Sequence, residues 1–238
     1  MKEISSLSVT QFRIFPHDAI PFSLLRSAYG TVRLKTFMGF RTAAFDPESG
    51  DLVFEDGAYK KDDSPLLAIP TIAFNSRRIV LSVAGSSDHA RLAYGALRDF
   101  FSLLGFTLPE PILFTEETNC IAQLDFDWTE LINPALFSTV TDFAQHITLP
   151  PQIKTGGIRF TLEFSPNQTL KDAGVTLSDK QIVIEPRLGL LLSQRIYFTG
   201  SPSSSDEHIA LLRTLEARVA SRAELLKQLE ARLARKRR

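Results

Sequence analysis

One cysteine, Cys120, stands among 238 residues. No internal disulfide can therefore brace the fold, and the expected setting is a reducing compartment. No apolar run approaches the roughly 20 residues of a membrane-spanning helix, and Met1-Lys2-Glu3-Ile4 lacks a secretory leader pattern. These absences predict an intracellular protein, neither secreted nor membrane-bound. An excess of one charge is missing too: 27 Lys and Arg balance 27 Asp and Glu. That balance counts against strong non-specific attraction to a polyanion, but it allows a locally positive face. The four histidines, His17, His89, His146 and His208, are scattered with no His-x3-His or His/Cys pair on one element, so no metal site is expected. There is no Gly-x-x-x-x-Gly-Lys phosphate loop and no acid, base and nucleophile set. Neither enzymatic activity nor a cofactor is expected. Tryptophan occurs once, whereas phenylalanine occurs 18 times, which implies a Phe-rich core or apolar side chains held out as wedges. The chain is 44% hydrophobic, enough for one or two domains with a sizeable core.

The most informative stretch runs from Ala73 to Phe106. Ile79, Leu81 and Val83 alternate with Val80 and Ser82, the period of a strand. Ser86, Ser87 and Asp88 supply helix-start oxygens. Leu92, Leu97, Phe100, Phe101 and Leu104 follow near helical spacing, and Gly105 stops the helix. The layout returns near the C-terminus, where Arg195 to Asp206 leads into a helix. Setting Arg78 on Arg195 without a gap brings Ile79 onto Ile196, Ser86 onto Ser203, Ser87 onto Ser204 and Ala93 onto Ala210. This is an internal repeat of roughly a hundred residues.

In chain order, residues 5–15 read as a strand, 20–29 as a short helix and 30–39 as a loop. Residues 40–45, 52–59, 66–74 and 78–84 read as strands, with a turn at 46–51, and 87–104 as a helix. The second half reads likewise. Strands are expected at 114–126, 158–164, near Val175, 181–185 and 190–198, and helices at 127–144 and from Asp206 onward. Pro109-Glu110-Pro111 forms a stiff connector. The expected division is a first repeat at 1–107, a second at 108–220 and a basic helical extension at 221–238.

This layout resembles the core of the TATA-box-binding protein family. The run from Ile72 to Phe106 is similar to that family's first repeat, from its turn to its helix end. Ala43-Ala44-Phe45-Asp46-Pro47, Asn119-Cys120-Ile121-Ala122 and Ile196-Tyr197-Phe198-Thr199-Gly200 resemble further family segments. The resemblance implies an α+β fold in which a tandem pseudo-twofold repeat of β-α-β4-α forms a saddle-shaped antiparallel sheet with helices on the convex face. It implies a concave face that enters the DNA minor groove, with Phe pairs wedging into base steps. By position, Phe74 matches a wedge, Val80 and Ser82 groove-facing residues, and Tyr197 and Thr199 their second-repeat equivalents. Asn119 matches a base-edge contact, and Arg78 and Arg195 match positions where the family has a Lys close to phosphate. The other wedge positions fall near Gly50, Thr169 and Leu191; Leu191 could still unstack a step, Thr169 less well, and no Phe lies near Gly50. The family's first-repeat Asn falls near Leu7, with Ser6 and Ser8 beside it.

Two functions follow from the resemblance. The first is a transcription initiation factor that binds and bends A·T-rich double-stranded promoter DNA, recruits initiation proteins and works in the nucleus or nucleoid. The alternative is a protein-interaction module of the same fold that has lost DNA binding and docks partners through the saddle or the C-terminal helix. An apolar saddle could also self-associate. Leu211, Leu212, Leu215, Val219, Leu225, Leu226, Leu229 and Leu233 form an apolar stripe on that last helix, which ends in Arg235-Lys236-Arg237-Arg238.

Overall fold

The computed structural model describes residues 1–61, 65–126, 160–164, 180–187 and 194–236. The fold is α+β. The described elements are β1 (Glu3–Ile14), α1 (Phe22–Arg26), α2 (Ala28–Met38), β2 (Thr42–Asp46), β3 (Asp51–Tyr59), β4 (Leu67–Phe74), β5 (Arg78–Ala84), α3 (Ser87–Leu103), β6 (Leu113–Gln123), β7 (Phe160–Phe164), β8 (Lys180–Pro186), β9 (Ile196–Ser201) and α4 (Ser205–Lys236). The expected helix at 127–144, the segment near Val175, Thr169 and Leu191 lie outside the described residues. Contacts divide the chain into two compact units. One comprises Ser6–Asn119 with Ser201–Asp206, and the other Met1–Ser5, Cys120–Gly200 and Glu207–Arg238.

In the first of these, the strand order is β2-β3-β4-β5-β1-β6. The pairs β2/β3, β3/β4, β4/β5 and β1/β5 are antiparallel. Period-two alternation decides which face is covered. Ile79, Leu81 and Val83 on β5, Ile72 and Phe74 on β4, and Leu52 and Phe54 on β3 are all buried. They pack in one cluster with Leu34 and Met38 of α2 and Ala90, Ala93, Leu97, Phe100 and Phe101 of α3. The abundant Phe residues form a connected set: Phe74 meets Phe54 edge-on at 5.8 Å and Phe101 at 6.3 Å between ring centroids. Such edge-to-face pairs add to the burial of apolar area.

Of residues 30–39, read from sequence as a loop, 30–38 are helical. Leu34 and Met38 are buried one turn apart and hold α2 to the sheet, so burial overrides the loop signal of the two flanking glycines. Gly30 lies where a Cβ would sit 2.1 Å from the Leu24 carbonyl oxygen; the glycine permits α1 to approach. Gly39 ends α2 in the left-handed region at φ 64°. The turn at 46–51 forms as expected, with the Asp46 carboxylate accepting from Glu48 N–H at 3.0 Å and Ser49 Oγ at 2.6 Å. These bonds hold the Asp46 carboxyl below its usual pKa.

Both long helices start in this unit, and their first residues cap one another. Ser87 N–H donates to Ser205 Oγ at 3.0 Å, and Ser205 N–H donates to Ser87 Oγ at 2.8 Å. Ser87 Oγ in turn donates to Glu116, whose other oxygen accepts from Gln11 Nε2 at 2.7 Å. Orphan amides at two helix starts are thereby satisfied inside protein. Beside them the buried Arg13 guanidinium lies 3.6 Å from the Tyr94 ring centroid. Burial lowers its pKa to about 10.

The other unit takes β6 from Cys120 onward, and its strand order is β6-β9-β8-β7, with β8 antiparallel to β7 and β9. Cys120, Ala122, Leu124, Phe126, Ile184, Tyr197, Leu212 and Val219 are buried there. Thr199 Oγ1 lies 2.9 Å from His208 Nε2 and 3.0 Å from Cys120 Sγ. Burial drives the His208 pKa down to about 4 and pushes the Cys120 thiol up, so the imidazole is neutral at pH 7.

Candidate recognition face

The sheet of the Ser6–Asn119 unit has a second face. Among the described residues, the helices that contact these strands, α2 and α3, pack on the opposite side. Register sorts the residues of this open face into two rows. Thr42, Glu55, Thr71, Ser82 and Thr10 stand opposite one another across five successive strands. Beside them Ala44, Val53, Ala73, Val80 and Phe12 form a parallel row. At strand spacing of about 4.8 Å, each row is about 19 Å long. One row is polar and hydroxyl-rich and the other apolar.

The polar row carries its own hydrogen bonds. Thr10 Oγ1 and Ser82 Oγ are 2.9 Å apart, and Thr42 Oγ1 donates to Glu55 Oε2 at 3.1 Å. Ser8 Oγ donates to the Asn119 carbonyl at 3.4 Å, and Asn119 Nδ2 to Glu117 Oε1 at 3.4 Å. Glu116 bonds Gln11 on the helix side, so alternation puts Glu117 and Asn119 on the open face. Two carboxylates, Glu55 and Glu117, thus belong to the face, and both would repel phosphate.

Among the sequence-nominated residues, Val80, Ser82 and Asn119 reach this face. Arg78 stands at its margin, but Nη2 is bound to Asp51 Oδ2 at 2.6 Å. Asp51 Oδ1 also accepts from Asn75 Nδ2 at 2.9 Å, while Asn75 Oδ1 accepts from the Arg77 and Arg78 amides at 2.9 and 2.8 Å. Arg78 is therefore tied into the β4–β5 turn.

Three nominated residues are corrected. Phe74 is 0% exposed and packed between Phe54 and Phe101; its ring offers no surface to a base step. Tyr197 and Thr199 are likewise buried, Tyr197 donating from its hydroxyl to the Phe126 carbonyl at 3.1 Å and Thr199 bonded to His208. The cause is phase. The gapless repeat places Ser87 on Ser204, but the helices open at Ser87 and Ser205. A one-residue slip in a strand exchanges the faces, so Ile196 and Phe198, half-exposed, alternate with the buried pair. Arg195 precedes β9 with φ 55° and its carbonyl accepts from Leu124 N–H at 3.0 Å. The strand expected at 190–198 starts at Ile196, and Leu191 is outside the described residues.

Sequence reasoning missed Thr10, Phe12, Val53, Thr71 and Ala73. Their signal was parity: each alternates with a buried neighbour. Assigning them to one surface, however, needs the cross-strand register. Among the described residues there is no cluster of three or more His, Cys, Asp or Glu side chains able to hold a metal, and no helix is long and apolar enough to cross a membrane. No family model matches the chain, and no curated protein sequence matches it.

Proposed function

We propose that this chain is a TATA-box-binding-protein-like tandem repeat that serves as a protein-interaction module, using the open sheet face to dock a partner rather than to bend DNA. Support for the repeat comes from the order β1, α1–α2, four strands and α3, which is the order the resemblance implies. The mutual capping of Ser87 and Ser205 at the two helix starts adds to it. The observation that carries the functional reading is the burial of Phe74. With the Phe74 ring inside the core, the first repeat lacks the wedge that the resemblance implies at that position. The carboxylates of Glu55 and Glu117 and the Asp51-bound Arg78 also suit a protein surface better than a phosphate backbone. An apolar strip beside a hydroxyl strip fits a partner segment with one apolar and one hydrogen-bonding edge.

The test is photo-crosslinking from positions 80 and 82, one in each row, in the native cell. A single protein adduct formed from both positions and lost in a Thr71→Arg variant supports docking. Adducts to nucleic acid, or the same products from a probe on the helix side at position 91, overturn it. A second reading, minor-groove contact without a wedge, rests on the paired Thr10 and Ser82 hydroxyls, groups able to meet the acceptors of A·T pairs.

A further inference from the structure

The helix-covered side of the Ser6–Asn119 unit carries a separate apolar groove between α2 and α3. Its cavity volume is about 440 Å³, and it is lined by Val32, Arg33, Thr36, Phe37, Phe100, Leu103 and Leu104. The rings of Phe37 and Phe100, 5.4 Å apart between centroids, contribute to its wall. Val32 is 60% and Leu103 70% exposed, and Tyr29, one helical turn before Val32, is 57% exposed. Single exposed apolar side chains are ordinary; several large ones gathered around a concave site mark a place of contact. The lining residues recur at helical spacing on both walls, so the groove lies between two helices, where a third can settle with its own apolar ridge.

Charge selects the occupant. Among the described residues, Arg33 is the one charged side chain of the lining, and its guanidinium rests 4.9 Å from the Tyr29 ring centroid. Helix α2, with sequence AYGTVRLKTFM, contains Arg33 and Lys35 and no carboxylate. On α3, Asp99 is engaged by Lys61 Nζ at 2.9 Å. Among the described residues, the charge that lines the groove is positive. The run Arg235-Lys236-Arg237-Arg238 is basic in sequence, which makes a second copy of that run a poor match for Arg33.

We propose that the α2–α3 groove seats an amphipathic helix of a partner protein, with apolar residues at i, i+3 or i+4 and i+7 entering the groove and acidic residues flanking them over Arg33. The proposal does not depend on the open sheet face, which lies on the other side of the same strands.

The test uses two labelled helical peptides sharing one leucine stripe, glutamate-rich in one and lysine-rich in the other, titrated with the full chain by fluorescence anisotropy. The acidic peptide should bind at least tenfold more tightly than the basic one, and Arg33→Glu should reverse that preference. Val32→Asp and Leu103→Asp, exposed sites whose variants should keep the wild-type circular dichroism spectrum, should each weaken binding at least tenfold. Absence of saturable binding, equal binding of both peptides, or binding indifferent to Val32→Asp and Leu103→Asp overturns the proposal.

Discussion

Replacing Phe74 separates a core ring from a DNA wedge. A wedge is exposed in the free protein, and its truncation costs little stability. A core ring leaves a cavity. Phe74 is fully buried, with Phe54 and Phe101 edge-on to it, and Leu52 and Ile79 pair with it across the two neighbouring strands. Phe74→Ala should therefore cost about 3–5 kcal/mol. At about 2–4 °C per kcal/mol for a chain of this size, the melting temperature should fall by about 6–20 °C. Phe74→Leu refills much of the volume but loses the ring-edge contacts, and should cost about 1–1.5 kcal/mol. Urea unfolding followed by far-UV circular dichroism gives both values. If Phe74→Ala unfolds at the wild-type midpoint, within about 0.5 kcal/mol, the ring is not part of the core and is free to act as a wedge.

The reciprocal serine cap predicts coupling: Ser87→Ala and Ser205→Ala should each cost about 0.5–2 kcal/mol. The double variant should cost less than their sum, measured by a double-mutant cycle in urea; strict additivity would mean the two hydroxyls act separately. His208 predicts a pH dependence. Its folded pKa of about 4 lies below the ordinary 6.5, so the unfolded chain takes up the proton first as pH falls. Stability is complete above pH 6.5, declines from there to about pH 4 and then levels, a loss of about 3 kcal/mol; His208→Gln should remove that slope from a pH series of unfolding curves. Gly39→Ala should cost more than about 1 kcal/mol, because φ is 64° and the new Cβ would lie 2.4 Å from the Ala58 carbonyl oxygen; a neutral result by thermal melting would mean that the α2 end relaxes freely.

Much of the first half was legible because its signals are local. The alternation of Ile79, Leu81 and Val83, the serines before α3 and Gly105 after it each act within a few residues, and the elements formed accordingly. Residues 30–39 were not legible: two glycines suggested a loop, while the decisive term was burial of Leu34 and Met38 against strands distant in sequence. The candidate site was half legible for a related reason. Val80 and Ser82 could be named, but the rows around them are a product of strand register. Tyr197 and Thr199 failed by a single residue of phase, to which identity matching at Ile79 and Ile196 is blind and which the starts of the helices reveal.

Partner docking in place of DNA bending is decided by titrating a doubly labelled A·T-rich duplex with the full chain across a salt series, reading anisotropy for binding and energy transfer for bending. No saturable binding at low salt and no change in end-to-end distance are expected. Saturable binding with a bend, weakened by Val80→Glu and Ser82→Glu and falling steeply with salt, would contradict that expectation.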